Sequence, residues 1–135
     1  MQKLLERRVI RQFIKFGIVG ISSAIIDWGL FYFFNRYLAI YYLFAKALSF
    51  IFAVINSYIW NRRWTFRSEN TQKMQEFSKF LIVSVIGLLL NTLIMFIAVE
   101  KYHLRYIFGL MLATAIVVFW NFLANKLWTF RVKNE

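Results

Sequence analysis

Asn61-Arg-Arg-Trp-Thr-Phe-Arg67 returns near the C-terminus as Asn125-Lys-Leu-Trp-Thr-Phe-Arg131, and each copy closes a long apolar run. Sliding the chain by 64 positions superimposes the two copies and much of what precedes them. Phe13, Lys15, Phe16, Ile18 and Val19 fall on Phe77, Lys79, Phe80, Ile82 and Val83, and Tyr42, Phe44, Leu48 and Val54 fall on Tyr106, Phe108, Leu112 and Val118. Self-similarity at a fixed period marks an architecture built by repetition. The chain reads as one unit used twice, repeat one over 11–67 and repeat two over 75–131, within a single domain over 1–135.

The runs before each copy decide the environment. The chain is 61% hydrophobic, well above the roughly 45–50% of soluble domains, and its apolar residues are gathered into blocks. Four blocks stand out, at about 16–34, 40–60, 80–99 and 106–124. Each is roughly 20 residues, about 30 Å of helix, which matches a bilayer core. Backbone polar groups in lipid must be satisfied inside their own segment, so these blocks are helices. The expected fold is an all-α integral membrane protein with four transmembrane helices. Proline is absent, so any break in those helices comes from glycine, a π-bulge or a polar insertion. Cysteine is absent too, which excludes disulfides and thiolate metal sites.

The connections at 35–39 and 100–105 are short, so spans one and two form one hairpin and spans three and four another. The net charge of +11 flanks the apolar blocks and makes no continuous helical face, which argues against nucleic acid. Lys3, Arg7, Arg8, Arg11, Lys15, Arg62, Arg63, Arg67, Lys73, Lys79, Lys126, Arg131 and Lys133 flank one side of the spans. Arg36, Lys101 and Arg105 flank the other. Under the positive-inside rule both termini are cytoplasmic. The N-terminal apolar run is too long for a cleaved signal. Two spans per repeat make the hairpins parallel repeats about an axis along the membrane normal, assembled as a four-helix bundle. Small and polar stripes are expected to line the seam: Gly17, Gly20, Ala24 and Asp27; Lys46, Ser49, Ala53, Asn56 and Trp60; Ser84, Gly87 and Asn91; Thr114, Val118, Asn121 and Asn125.

Asp27 and Lys46 are the only ionisable side chains well inside the blocks. A lone charge at mid-membrane costs about 2.5–3.5 kcal/mol on insertion scales, so pairing is expected, and intramembrane ionisable residues are functional by default. Asp27 lies roughly 18 Å along its helix from the basic end, and Lys46 about 8 Å in from the other end of span two. The repeat breaks here: Asn91 replaces Asp27, and Leu110 replaces Lys46. Asp27, Lys46, Asn56, Asn91 and Asn121 are the candidate substrate path. The five-residue step from Asn56 to Asn61, against four from Asn121 to Asn125, suggests a π-bulge in span two.

Trp64, Phe66, Trp128 and Phe130 are expected as interfacial anchors. Arg62, Arg63, Arg67, Lys126 and Arg131 form a basic ring suited to a phosphorylated headgroup, since guanidinium binds phosphate oxygens bidentately. Other chemistry is not encoded. There is no phosphate-binding glycine loop, the single histidine, His103, sits in a loop without partners for a metal, and no acidic pair is placed for acid/base work. Neither an enzyme activity, a cofactor nor a metal is expected.

Phe13-Ile-Lys-Phe-Gly-Ile-Val-Gly20 leading to Asp27, with Asn61-Arg-Arg-Trp-Thr-Phe66 and Asn121-Phe-Leu-Ala-Asn-Lys-Leu-Trp-Thr-Phe130, resembles the GtrA-like family over nearly the whole chain. The resemblance implies a four-span protein in the cytoplasmic (inner) membrane of a prokaryote. It also implies transfer of a polyprenyl-phosphate-linked sugar across that membrane for cell-surface polysaccharide glycosylation. A flippase for such a lipid is therefore the first reading. A non-transporting adaptor for a polyprenyl glycosyltransferase and a small proton-coupled exporter are the alternatives. Partners in view are the sugar lipid, the membrane, a membrane glycosyltransferase and a second copy of the chain.

Overall fold

The structure, a computed structural model, describes residues 1–131; Lys133, counted above with the basic flank, lies outside the described residues. Four α-helices follow one another: α1 (Gln2–Arg36), α2 (Tyr42–Trp60), α3 (Lys73–Phe96) and α4 (Tyr106–Ala124). All four are long and apolar enough to cross a membrane, and no strand occurs among the described residues. The chain divides into two compact units, Met1–Glu69 and a second that begins at Asn70. Each unit is a helical hairpin, α1 against α2 and α3 against α4.

Two helices start earlier than hydropathy alone implies. α1 begins at Gln2, because residues 2–15 hold neither glycine nor proline and are rich in Leu, Arg, Lys and Gln, all strong helix formers. α3 begins at Lys73, with Glu76 in its first turn, where a carboxylate is favoured by the positive end of the helix dipole.

Within the first hairpin α1 buries Gln12, Phe16, Val19 and Ser23, a 4-3-4 spacing that makes one stripe. Opposite them α2 buries Ala45, Ser49, Ala53, Val54 and Tyr58. The small residues that allow close approach sit on α2. A methyl group at Gly17 or Gly20 would meet nothing within 4 Å, so these glycines do not form the seam of the hairpin. In the second hairpin α3 repeats the register of α1 with Glu76, Phe80, Val83 and Gly87. α4 buries Gly109, Ala113 and Phe122; of the expected stripe Thr114 is exposed, whereas Asn121 packs on Gly87 and Asn125 is buried just beyond the end of α4.

α2, α3 and α4 each run on into a five-residue π-helical turn, at Asn61–Thr65, Ile97–Lys101 and Asn125–Thr129. The π element is thus not an extra residue peculiar to span two: the first and third π turns occupy equivalent positions in the repeats. By chain position Asn56 corresponds to Trp120, and Asn121 to Ser57. The hairpin turns repeat as well. Leu38 and Ile40 donate backbone N–H groups to the carbonyls of Phe33 and Phe34, and Tyr102 and Leu104 do the same to Ile97 and Ala98. Ala39 and His103 hold the left-handed position between them, at φ 54° in both. The closure is a Schellman-type helix end one residue wider than usual, made without glycine. His103 is thereby accounted for by the turn, since histidine is among the residues enriched at positive φ.

Candidate functional site

Asp27 of α1 and Lys46 of α2 form an ion pair, Nζ to Oδ2 at 2.8 Å. Ser49, fully buried, donates its hydroxyl to the other carboxylate oxygen, Oδ1, at 2.7 Å, and also lies 3.0 Å from the carbonyl of Lys46. Both oxygens of the carboxylate are therefore held from α2, by residues three apart on one helical face. The carboxylate is only 15% exposed, whereas the lysine side chain is 48% exposed along the flank of the hairpin. Charge-assisted bonds to both oxygens offset much of the cost of placing a carboxylate in an apolar span. Ser49 belongs to this cluster as fully as the two charges do. Its signal in the sequence is its place three residues after Lys46.

One turn further along the hairpin, Asn56 donates to Ser23 Oγ at 3.0 Å and reaches Ser22 Oγ at 3.5 Å. Beyond that, Asn61 donates to Ser57 Oγ at 3.1 Å, and Asn61 and Thr65 of the π turn are buried. Polar side chains thus recur along the α1–α2 seam from Asp27 to Thr65, interrupted by the buried Ala53 between Ser49 and Asn56. The equivalent line in the second hairpin is poorer. Asn91 is half-buried, and Asn121 packs its amide so closely on Gly87 that a methyl group there would lie 2.6 Å from Oδ1. Trp120 replaces Asn56 and donates its indole N–H to the carbonyl of Val83 at 3.3 Å.

The aromatic motif separates into two parts. Trp64 and Trp128 are exposed and lie under Lys15 and Lys79, at 5.3 and 5.6 Å from nitrogen to ring centroid, a cation–π geometry present in both hairpins. Phe66 and Phe130, expected at the interface with the tryptophans, are buried instead, at 8% and 6% exposure. They pack on Phe16 and Phe80 with centroids 6.3 and 5.9 Å apart. The π turn is the reason. Its i→i+5 bonding, with the N–H of Phe66 on Asn61 O and that of Phe130 on Asn125 O, both at 2.8 Å, turns the phenylalanine under the helix end.

Of the five basic residues assigned to a headgroup, Arg62 is half-buried and reaches Ser68 Oγ at 3.4 Å, and Lys126 is half-buried in the second hairpin. Arg63, Arg67 and Arg131 are exposed. Arg67, with φ 48°, lines a cavity of about 470 Å³ on the first hairpin together with Arg7, Arg8, Arg11 and Lys15 of α1. Those four side chains read in the sequence only as an orientation signal; the fold of α1 against the first π turn is what brings Thr65 and Arg67 beside them. No group of three His, Cys, Asp or Glu that could hold a metal occurs among the described residues.

Comparison with known proteins agrees with this architecture. A family model described as GtrA/DPMS, transmembrane domain, matches residues 15–130. A relative from Bacillus subtilis strain 168, the uncharacterized membrane protein YngA, is 27% identical over 116 residues, which is 86% of this chain and 77% of YngA.

Proposed function

The chain belongs to the GtrA/DPMS transmembrane-domain family and is an integral, multi-pass membrane protein, and from that premise we propose that it translocates a polyprenyl-phosphate-linked monosaccharide across the cytoplasmic membrane of a prokaryote. The observation that carries the reading is the Asp27–Lys46–Ser49 cluster, an ionised group with hydrogen-bond capacity inside an apolar hairpin. Sugar hydroxyls and a phosphate are costly to desolvate without partners. Polar side chains recurring from Asp27 past Asn56 to Thr65 supply such partners along the first hairpin. In this reading both termini and the linker at 67–75 face the cytoplasm, the basic ends receive the phosphate, and the polyprenyl chain stays in lipid. No bond is made or broken, so the role is not enzymatic.

The test is reconstitution of the purified protein in vesicles with a fluorescent polyprenyl-phosphate sugar, scored by loss of protection from an impermeant quencher. Faster exposure than in protein-free vesicles is the expected result. A variant carrying both Asp27→Asn and Lys46→Leu should keep its abundance and lose the acceleration. No acceleration by the wild-type protein, with retained capture of a membrane glycosyltransferase, would replace transport by an adaptor role.

A further inference from the structure

We propose that the first hairpin alone carries a lipid-phosphate site, with the phosphate in the basic cavity between α1 and the first π turn and the lipid chain in an apolar groove beside it. The proposal takes its class of ligand from the reading above and gives that ligand a seat.

Three observations converge on it. The cavity, about 470 Å³, presents four guanidinium groups and one ammonium, and no carboxylate lines it. Arg7, Arg11 and Lys15 follow one another at i, i+4 and i+8 on α1, a spacing that sets like charges side by side on one helical face, where an anion between them relieves their repulsion. At the cavity wall Thr65 is 3% exposed, and its hydroxyl has no hydrogen-bond partner among the described residues; Thr129 of the second hairpin is buried and unpartnered in the same way, so the cations around Thr65 are what set the first hairpin apart. Cations at that density with a buried hydroxyl make a seat for phosphate oxygens, which accept bidentate guanidinium bonds.

A second space, about 450 Å³, shares Arg7, Arg11 and Lys15 with the first and is otherwise lined by Ile10, Ile14, Ile18 and Trp64. One cationic ridge therefore separates a polar cavity from an apolar groove, the shape complementary to an amphiphile with an anionic head. A mere orientation signal would need the charges but neither space.

The second hairpin is the built-in control. Lys79, Trp128, Thr129, Phe130 and Arg131 reproduce the shared part of the scaffold. Thr71, Gln72 and Gln75 stand where the three arginines of α1 stand, and the buried Glu76 replaces Gln12. Ser78 replaces Ile14 in the groove. Those replacements take three of the four guanidinium groups and one of the groove's isoleucines out of the equivalent positions, so one lipid per chain is expected, not two.

The experiment is native mass spectrometry of the full chain in detergent micelles titrated with dioleoyl phosphatidate, with dioleoyl phosphatidylcholine and inorganic phosphate as separate arms. Wild type should retain one phosphatidate per chain and discriminate against phosphatidylcholine. Arg7→Gln with Arg8→Gln and Arg11→Gln should weaken retention by about tenfold or more, the scale of losing charge-assisted hydrogen bonds. Arg11→Gln alone provides a milder variant should the triple change fail to fold. Arg36→Gln with Lys101→Gln and Arg105→Gln removes the same charge elsewhere and should change retention by no more than about twofold. Ile14→Ser should weaken phosphatidate by about threefold and leave inorganic phosphate unaffected. Equal losses in the two triple variants, or two lipids per chain, would overturn the site. Displacement of the lipid by inorganic phosphate at similar concentration would overturn the lipid assignment and leave a soluble-phosphate site. Micelles have no leaflets, so binding is scored apart from transport. Retention without translocation in vesicles removes transport and keeps the site, and translocation without retention does the reverse.

Discussion

The two hairpins share a scaffold and differ in what fills it. Phe16, Val19, Asn61, Thr65 and Phe66 of the first have the same burial as Phe80, Val83, Asn125, Thr129 and Phe130 of the second. Asp27, Lys46 and Ser49 of the first become Asn91, Leu110 and Ala113. Ser23 and Ser57 become Gly87 and Asn121, an exchange that leaves the summed side-chain volume nearly unchanged. The residues held in common close the helix ends and the turns; the residues that differ put charge and hydrogen-bonding capacity into the first hairpin only. Repetition here keeps the packing and lets the chemistry become asymmetric, because a neutral side chain is tolerated wherever its volume fits, whereas a charge in a span survives only with its partners.

The largest expected effect tests the shared part. Phe66→Ala and Phe130→Ala each remove a buried ring and should cost about 3–5 kcal/mol. Thermal unfolding in detergent, followed by tryptophan fluorescence, should give the two variants similar losses. A large loss in one hairpin and none in the other would break the equivalence of the π turns.

Next in size is the difference that defines the first hairpin. Asp27→Asn or Lys46→Leu alone leaves one intramembrane charge without its partner, at about 2.5–3.5 kcal/mol. The double change restores the pairing of Asn91 with Leu110 that the second hairpin already carries, and membrane abundance should recover. Strict additivity in the double-mutant cycle would show that the two charges do not support one another.

Gly87 marks the difference from the side of the second hairpin. Gly87→Ser drives a side chain into Asn121 and should cost about 1–3 kcal/mol, the usual range for overpacking. Adding Asn121→Ser recreates the Ser23 and Ser57 pair of the first hairpin and should recover most of that loss. Failure of the second change to rescue the first, by the same unfolding measurement, would mean that the exchange does not conserve packing.

The smallest effect lies in the turns. Ala39 and His103 occupy left-handed backbone where a Cβ is unfavourable by about 1–2 kcal/mol. Ala39→Gly and His103→Gly should each raise stability by up to about 1 kcal/mol, since glycine's own chain entropy takes back part of the gain. A rise in the unfolding midpoint for one turn and a fall for the other would separate turns that share the same backbone bonds.

Four spans, their pairing into hairpins, the repeat and the Asp27–Lys46 contact were all legible in the residues alone. Each depends on one-dimensional quantities: the length of an apolar run, the spacing of two copies, and the cost of an unpaired charge in lipid. The tertiary structure decided what depends on rotation about a helix axis. It buried Ala113 and exposed Thr114, drew Ser49 to the carboxylate, and turned Phe66 and Phe130 inward while leaving Trp64 and Trp128 outside. A π turn changes the angular step from residue to residue, so a face read at 3.6 residues per turn loses its phase there. It also brought Arg7, Arg8 and Arg11 beside Thr65 and Arg67. Residues more than fifty positions apart become neighbours only because α1 continues as helix past the apolar block and lies along the end of α2, a contact that no local spacing encodes.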